Sequence, residues 1–197
     1  MSGRVLFVEN GDSFSFNVLD ALPVPRSEAI VLDPEESLAF LRHEQPRWAV
    51  LGPGPFDPRE AGLLPVVAKL VEREVPTLGI CLGHQAIGMH FGAALRPVEP
   101  HHGVRDAIRL EPSRLLPHFS GTTTVMRYHS LALVDPLPPE LRLVARGSDG
   151  TIMAIEHADL PMLGLQFHPD SFATVSGEAM VRDFVRAVFA GGGEPHP

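Results

Sequence analysis

The chain's single cysteine stands in the stretch LGICLGHQ, residues 78–85, with a glycine two positions to either side. Gly79-x-Cys81-x-Gly83 follows a short apolar run, TLGI at 77–80, and precedes HQAIGMHF, which continues with helical spacing. A strand that hands over to a helix through so tight a turn presents the side chain at its apex, and glycines on both sides admit the close approach of the two backbones. At that apex the thiol faces free helix N–H groups and the positive end of the helix dipole, which favour thiolate over thiol. The N–H of Leu82, the next residue, points to where an oxyanion develops when a thiolate adds to a carbonyl. A lone cysteine is more often a small, inert core residue. The paired glycines at a strand-to-helix junction favour the nucleophile.

A thiolate nucleophile needs a base, and the base needs an orienting partner. The chain has ten histidines. His43 falls on a surface helix, His118 and His157 in turn-like or polar contexts and His196 close to the C-terminus, and all four read as solvated. His90 lies on the helix after the cysteine and reads as packed. His101-His102 has no further donor at metal-ligand spacing, so no metal is expected, and no other cofactor. His129 in RYHSLAL and His168 in LQFHPDSF are the two candidates. His168 is the better base, because it ends an apolar run and Asp170 follows two residues later. On an extended chain such positions project to one side, so the carboxylate can hold the imidazole tautomer.

These residues need a scaffold that brings two distant segments together. Apolar runs at 4–8, 29–32, 48–51 and 77–80 read as strands buried on both faces. The segments 35–44 and 60–74 between them have helical spacing, the second with Pro65 as an early kink. Strands alternating with helices imply parallel pairing and right-handed crossovers. From 94 to 166 the pattern changes to short strand candidates (AIRL, TTTVMRY, LALV, LRLVAR, IMAIEH, MLGLQF), expected to form antiparallel ribbons that extend the sheet edge. A closing helix is expected at 177–190. The fold class is α/β: an open, mostly parallel sheet with flanking helices and added antiparallel strands. One domain spans 1–190, with a disordered tail at 191–197.

The remaining bulk properties exclude several classes of function. With 24 acidic against 16 basic residues the formal charge is −8, which attracts neither a phosphate backbone nor an acidic lipid surface. Neither nucleic acid nor membrane is therefore an expected partner. One cysteine forms no intrachain disulfide and suits a reducing compartment. The first apolar run is too short for a signal-peptide core, and the expected location is the cytoplasm.

Taken in order, GICLGHQ, RYHSL and FHPDS resemble the class I glutamine amidotransferases. VENGDSFSFN at 8–17, VLGPGPFDPREAG at 50–62 and HPDSFATVSG at 168–177 are similar to the branch that serves chorismate-using synthases, the small subunits of anthranilate and aminodeoxychorismate synthase. The resemblance covers nearly the whole chain. It implies hydrolysis of L-glutamine through a thioester and delivery of ammonia to a chorismate-binding synthase subunit in a hetero-oligomer, with anthranilate synthase the leading partner. Carried over by motif, Cys81 is the nucleophile, His168 the general acid/base and Asp170 its orienting carboxylate. The N–H groups of Gly54 and Leu82 form the oxyanion hole. Gly54, Pro55 and Phe56 line the glutamine pocket, and Gln85 with the main chain of Ser130 and Leu131 holds the substrate.

Three positions depart from the family's pattern. Asp170 stands where the family has glutamate, one methylene longer. Phe56 replaces the second glycine of the pocket loop, and Val104 replaces the lysine of an HGK motif. The first helix, after Asn17, is also short. Two other readings stay open on these residues: a binding subunit of the same fold that has lost turnover, and a free-standing hydrolase of γ-glutamyl compounds.

Overall fold

Strands β1 (Val5–Val8), β2 (Ala29–Leu32), β3 (Trp48–Leu51) and β4 (Thr77–Ile80) run parallel in a computed structural model that describes residues 4–189. Their side chains alternate between two apolar layers. Val5, Phe7, Val50, Leu78 and Ile80 share one layer with Val18 of α1 (Ser15–Ala21) and with Met180, Val181 and Phe184 of α5 (Gly177–Phe189). Leu6, Val8, Ala49 and Leu51 share the other with α2 (Pro34–His43), α3 (Leu63–Glu72) and α4 (Leu82–His90). Burial on both faces is why β1, β3 and β4 read as continuous apolar runs rather than alternating ones. β2, expected to be buried likewise, is the sheet's edge strand and only part-buried, with Val31 exposed.

The helix boundaries follow from capping. Asp33 closes a capping box over α2, its carboxylate accepting from Glu36 N at 2.8 Å, and Pro34 occupies the first helical position, where its missing N–H costs nothing. The expected helix at 60–74 begins instead at Leu63, after Gly62 turns the chain at φ 71°. Pro65 thus falls in the first turn, where no backbone N–H has an acceptor within the helix and a proline costs no helical hydrogen bond.

The second half departs from expectation in two places. β9 (Leu141–Arg146), β10 (Ile152–His157), β6 (Val104–Leu110) and β7 (Gly121–Arg127) do form an antiparallel extension. The last strand, β11 (Met162–Leu165), pairs antiparallel with β10 but parallel with β4, joining the two halves into one sheet of order β2-β1-β3-β4-β11-β10-β9-β6-β7. The other departure is β5 (Ala94–Pro97) and β8 (Leu131–Val134), which form a separate two-stranded ribbon. The parallel β4–β11 pairing sets where their following loops meet, because parallel neighbours end at the same sheet edge and here they end in step, Ile80 opposite Leu165. The segment 191–197 lies outside the described residues. No helix among the described residues is long and apolar enough to cross a membrane.

Candidate active site

Cys81 follows directly on β4 and caps the start of α4 at φ 52°, ψ −100°, a conformation that a side-chain-bearing residue adopts only under strain. The surroundings enforce it. A Cβ at Gly79 would lie 2.6 Å from the Gly83 carbonyl, and one at Gly83 would overlap the carbonyl oxygen of Leu51. The elbow is further tied down by the Cys81 N–H, which donates to Leu165 O at 2.8 Å. Cys81 is buried, with 7% of its surface exposed.

His168 arrives at the same edge three residues beyond the end of β11. Its N–H donates to Met126 O at 3.1 Å, and its carbonyl accepts from Thr174 Oγ1 at 2.6 Å. The imidazole is fenced by the rings of Tyr128 and Phe14, with centroids 5.1 and 5.6 Å away and both close to edge-on. Burial alone depresses its pKa, but the Asp170 carboxylate and the Cys81 sulfur close to the ring favour its charged form and lift it to about 10. Asp170 comes no closer than 3.4 Å to His168 Nδ1, although both side chains are almost fully buried. At that separation neither His168 Nδ1 nor Asp170 Oδ1 completes a hydrogen bond with any described residue. The gap matches a carboxylate one methylene short.

The loop bearing Gly54 is packed against the elbow. A Cβ on Gly54 would meet Leu82 Cδ2 at 2.6 Å and Asn10 Cβ at 2.8 Å, so only glycine lets this loop reach Leu82. Asn10 clamps it from below, its Nδ2 donating to Gly52 O at 3.0 Å and Pro53 O at 3.3 Å. Pro55 and Phe56 continue the loop outward, Phe56 with 56% of its surface exposed. On the other side Gln85, one turn along α4, donates to Leu131 O at 3.0 Å and to Gln166 Oε1 at 3.1 Å. Gln166 Nε2 in turn points at Cys81 Sγ at 3.6 Å. Ser130 is exposed between His129 and Leu131.

The structure thus gathers Cys81, His168, Asp170, Leu82, Gly54, Gln85 and Leu131 from separate stretches of chain. Chemically the set offers a sulfur nucleophile with an imidazole beside it, which is what acyl transfer from an amide needs of its nucleophile and proton carrier. Several contributors carry no spacing signal: Gln166, Asn10, and the ring fence of Phe14 and Tyr128. His157, expected to be solvated, is buried, and its Nδ1 accepts from the N–H groups of Asp159 and Leu160 at 3.0 and 2.9 Å. It caps the turn after β10, a role that a polar sequence context disguises. His129 is also buried, and its ring bonds to Arg127 and Leu131. No group of three metal-donor side chains occurs among the described residues.

Comparison with known proteins agrees with this geometry. Residues 6–188 match the family model for class-I glutamine amidotransferases. The chain is 35% identical, over 92% of its length and 95% of the relative's, to an aminodeoxychorismate/anthranilate synthase component 2 of Bacillus subtilis. It is 37% identical to an aminodeoxychorismate synthase of Streptomyces griseus, again over 92% of this chain, but it spans only 25% of that longer protein. Among solved structures, a GMP synthase subunit from Thermoplasma acidophilum superposes with a TM-score of 0.83 over 97% of this chain and 96% of its own, at 21% identity. That last likeness speaks for the fold alone.

Proposed function

Given that this chain belongs to the class I glutamine amidotransferases, we propose that it hydrolyses the side-chain amide of L-glutamine on Cys81 and supplies the ammonia to a chorismate-using synthase, anthranilate synthase in the first place. The observation that carries this reading is the strained Cys81 elbow with the His168 imidazole beside it. The Cys81 sulfur adds to the amide carbon, and the N–H groups of Gly54 and Leu82 receive the charge that develops on oxygen. The C–N bond then breaks as His168 hands its proton to the departing nitrogen, leaving a γ-glutamyl thioester. Water attacks the thioester while His168 takes its proton, and glutamate leaves as the Cys81 sulfur is regenerated. Gln85 and the Ser130–Leu131 main chain hold the amino-acid end of the substrate.

A nucleophile that releases ammonia into water achieves nothing without an acceptor, so the isolated chain should turn over slowly and docking of the synthase should raise its rate. The docking face is the side on which the Cys81 elbow and the Phe56 loop open. Exposed Phe16, Phe56, Phe172 and Val175, on segments adjoining the candidate site, support an apolar contact there. The test is to mix the purified chain with each chorismate-using synthase, supply glutamine, and measure both glutamate release and the aromatic product. Formation of anthranilate, with glutamate release accelerated at least about tenfold by a population shift of ordinary size, is the expected result. Formation of aminodeoxychorismate instead would favour the second reading, to which the S. griseus relative points. Full hydrolysis by the chain alone, indifferent to both synthases, would make it a free-standing hydrolase.

Phe56 bears on the same pocket. With its ring exposed rather than buried, Phe56→Gly should change the Michaelis constant for glutamine by no more than about threefold, the scale of an ordinary surface substitution. The check is a covalent-labelling assay with an electrophilic glutamine analogue. Labelling that is absent in the wild type and appears only in Phe56→Gly would show the ring blocking the pocket, and the chain would be better described as a binding subunit.

A further inference from the structure

Arg127, at the end of β7, is almost completely buried yet carries a full charge. Its guanidinium donates to Asp106 Oδ2 at 2.7 Å and to Thr151 Oγ1 at 3.2 Å, and pairs with Asp149 Oδ2 at 3.0 Å. The remaining donor, Nε, points at His129 Nε2 at 3.1 Å. The other ring nitrogen of His129, Nδ1, lies 3.0 Å from Leu131 O. That same carbonyl accepts from Gln85 Nε2, so two buried side chains from different elements converge on one main-chain oxygen.

Donor and acceptor chemistry fixes the protons along this line. A guanidinium has only donors and does not release a proton in a folded protein, so His129 Nε2 must be the bare, accepting nitrogen. The ring's one proton then sits on Nδ1 and is donated to Leu131 O. A second proton would have to be placed facing the guanidinium inside the protein. Burial, reinforced by the charge of Arg127, holds the His129 pKa down to about 4. The donor is therefore in place throughout the neutral range. Neighbouring main chain is fastened as well: His101 N donates to His129 O and Val98 N to Ser130 O, each at 2.9 Å.

We propose that Arg127 and His129 are positioning residues for the substrate: the guanidinium sets the imidazole tautomer, and the imidazole, with Gln85, fixes the Leu131 carbonyl and the Ser130–Leu131 main chain against which the amino-acid end of glutamine rests. The inference rests on the preceding reading of Ser130 and Leu131 as substrate contacts. It makes affinity for glutamine depend on a charge network that runs outward through Asp106 and Asp149, away from Cys81. Losing the His129 donor leaves a buried carbonyl with one partner instead of two, so the Michaelis constant should suffer more than the turnover number. The nucleophile, the base and the N–H groups of Gly54 and Leu82 sit on other segments.

Removing Arg127 would strand the buried Asp106 carboxylate and endanger folding, so the test uses His129. Asparagine can place an amide N–H close to where Nδ1 lies, whereas leucine cannot. In the full chain with its synthase, His129→Leu should raise the Michaelis constant for glutamine roughly tenfold, the effect of one lost buried hydrogen bond, and His129→Asn should recover most of it. Alkylation by iodoacetamide, which needs no amino-acid contacts, reports on the thiol itself. The sole cysteine makes that reading unambiguous, and its rate should stay the same in all three proteins. Long-range proton–nitrogen NMR correlations should show His129 protonated at Nδ1 and bare at Nε2. A proton on Nε2, an unchanged Michaelis constant in His129→Leu, or equal loss of turnover and alkylation without rescue by asparagine would each overturn the proposal. Failure of the wild type to use glutamine at all, with the Nδ1 tautomer in place and alkylation normal, would instead sink the amidotransferase reading.

Discussion

Cys81→Ala should abolish glutamine-dependent synthesis by the complex and leave synthesis from ammonium salts intact. Only the glutamine-hydrolysing half uses the sulfur. Without it there is no covalent intermediate, and the remaining donors at Gly54 and Leu82 can only polarise a bound amide for direct attack by water. Loss of a nucleophile that acts as one unit with its base costs roughly 10⁴–10⁶-fold in other enzymes of this logic, and a drop of several decades is expected here. Cys81→Ser should fall nearly as far, since a hydroxyl beside the same imidazole is a far weaker nucleophile than a thiolate. Co-elution of the variant with the synthase is the folding control. The elbow's φ of 52° is strained for cysteine and alanine alike, so the substitution adds no new backbone conflict. Equal loss with both nitrogen sources would detach Cys81 from glutamine chemistry and turn it into a structural or interface residue.

What could be read from the sequence divides along physical lines. The elbow was legible because its signal is local: two glycines at fixed offsets from a cysteine, placed where a run of apolar residues gives way to helical spacing. The steric conflicts that a Cβ would meet at Gly79 and Gly83 are the cause of that pattern. His168 and Asp170 were legible for the same reason, since their two-residue offset survives folding. Strand pairing across the chain leaves no such trace. β11 looks like any other short apolar segment, yet its insertion beside β4 is what brings His168 to Cys81. The ribbon of β5 and β8, which carries Leu131, was equally invisible, because register is set by long-range packing rather than by periodicity.

Polar residues inside the site were hidden in another way. Arg127 ends β7 and Gln166 directly follows β11, places where a polar residue ordinarily signals the return to solvent, and nothing local distinguishes a buried terminus from an exposed one. Asn10 falls in a turn-like acidic stretch, in which asparagine is unremarked, but it holds the Gly54 loop through the carbonyls of Gly52 and Pro53. The resemblance to a family supplied Gly54, Gln85, Ser130 and Leu131 by motif. Which side chains fasten those residues in place depends on contacts made only after folding.

Asp170→Asn should lower glutamine hydrolysis by about 10²–10⁴-fold, by analogy with other nucleophile–histidine–carboxylate sites. The carboxylate can only accept, so it draws the neutral imidazole's proton to Nδ1 and leaves the other nitrogen bare to take a proton from Cys81. An amide presents N–H groups as readily as oxygen. Facing Nδ1 with a donor, it would move the ring proton to Nε2 and leave nothing to accept the thiol proton. It would also remove one of the two influences that raise the His168 pKa, so the basic limb of the pH–rate profile should shift downward. The distance makes the complementary substitution informative. At 3.4 Å the present contact is beyond the usual 2.7–2.9 Å of a charge-assisted hydrogen bond, and both facing atoms lack any other partner among the described residues. Asp170→Glu adds one methylene and has the reach to close that gap. It should equal or exceed the wild-type rate, with the largest gain in turnover rather than in the Michaelis constant, because the imidazole and not the substrate is what it touches. Stopped assays of glutamate release across pH, run on the complex with all three proteins, separate the cases. An asparagine variant as fast as wild type would remove Asp170 from the mechanism. A glutamate variant as slow as asparagine would mean that the pocket around His168, walled by Phe14 and Tyr128, is built for the shorter side chain, and that the 3.4 Å separation is the working distance rather than a deficit.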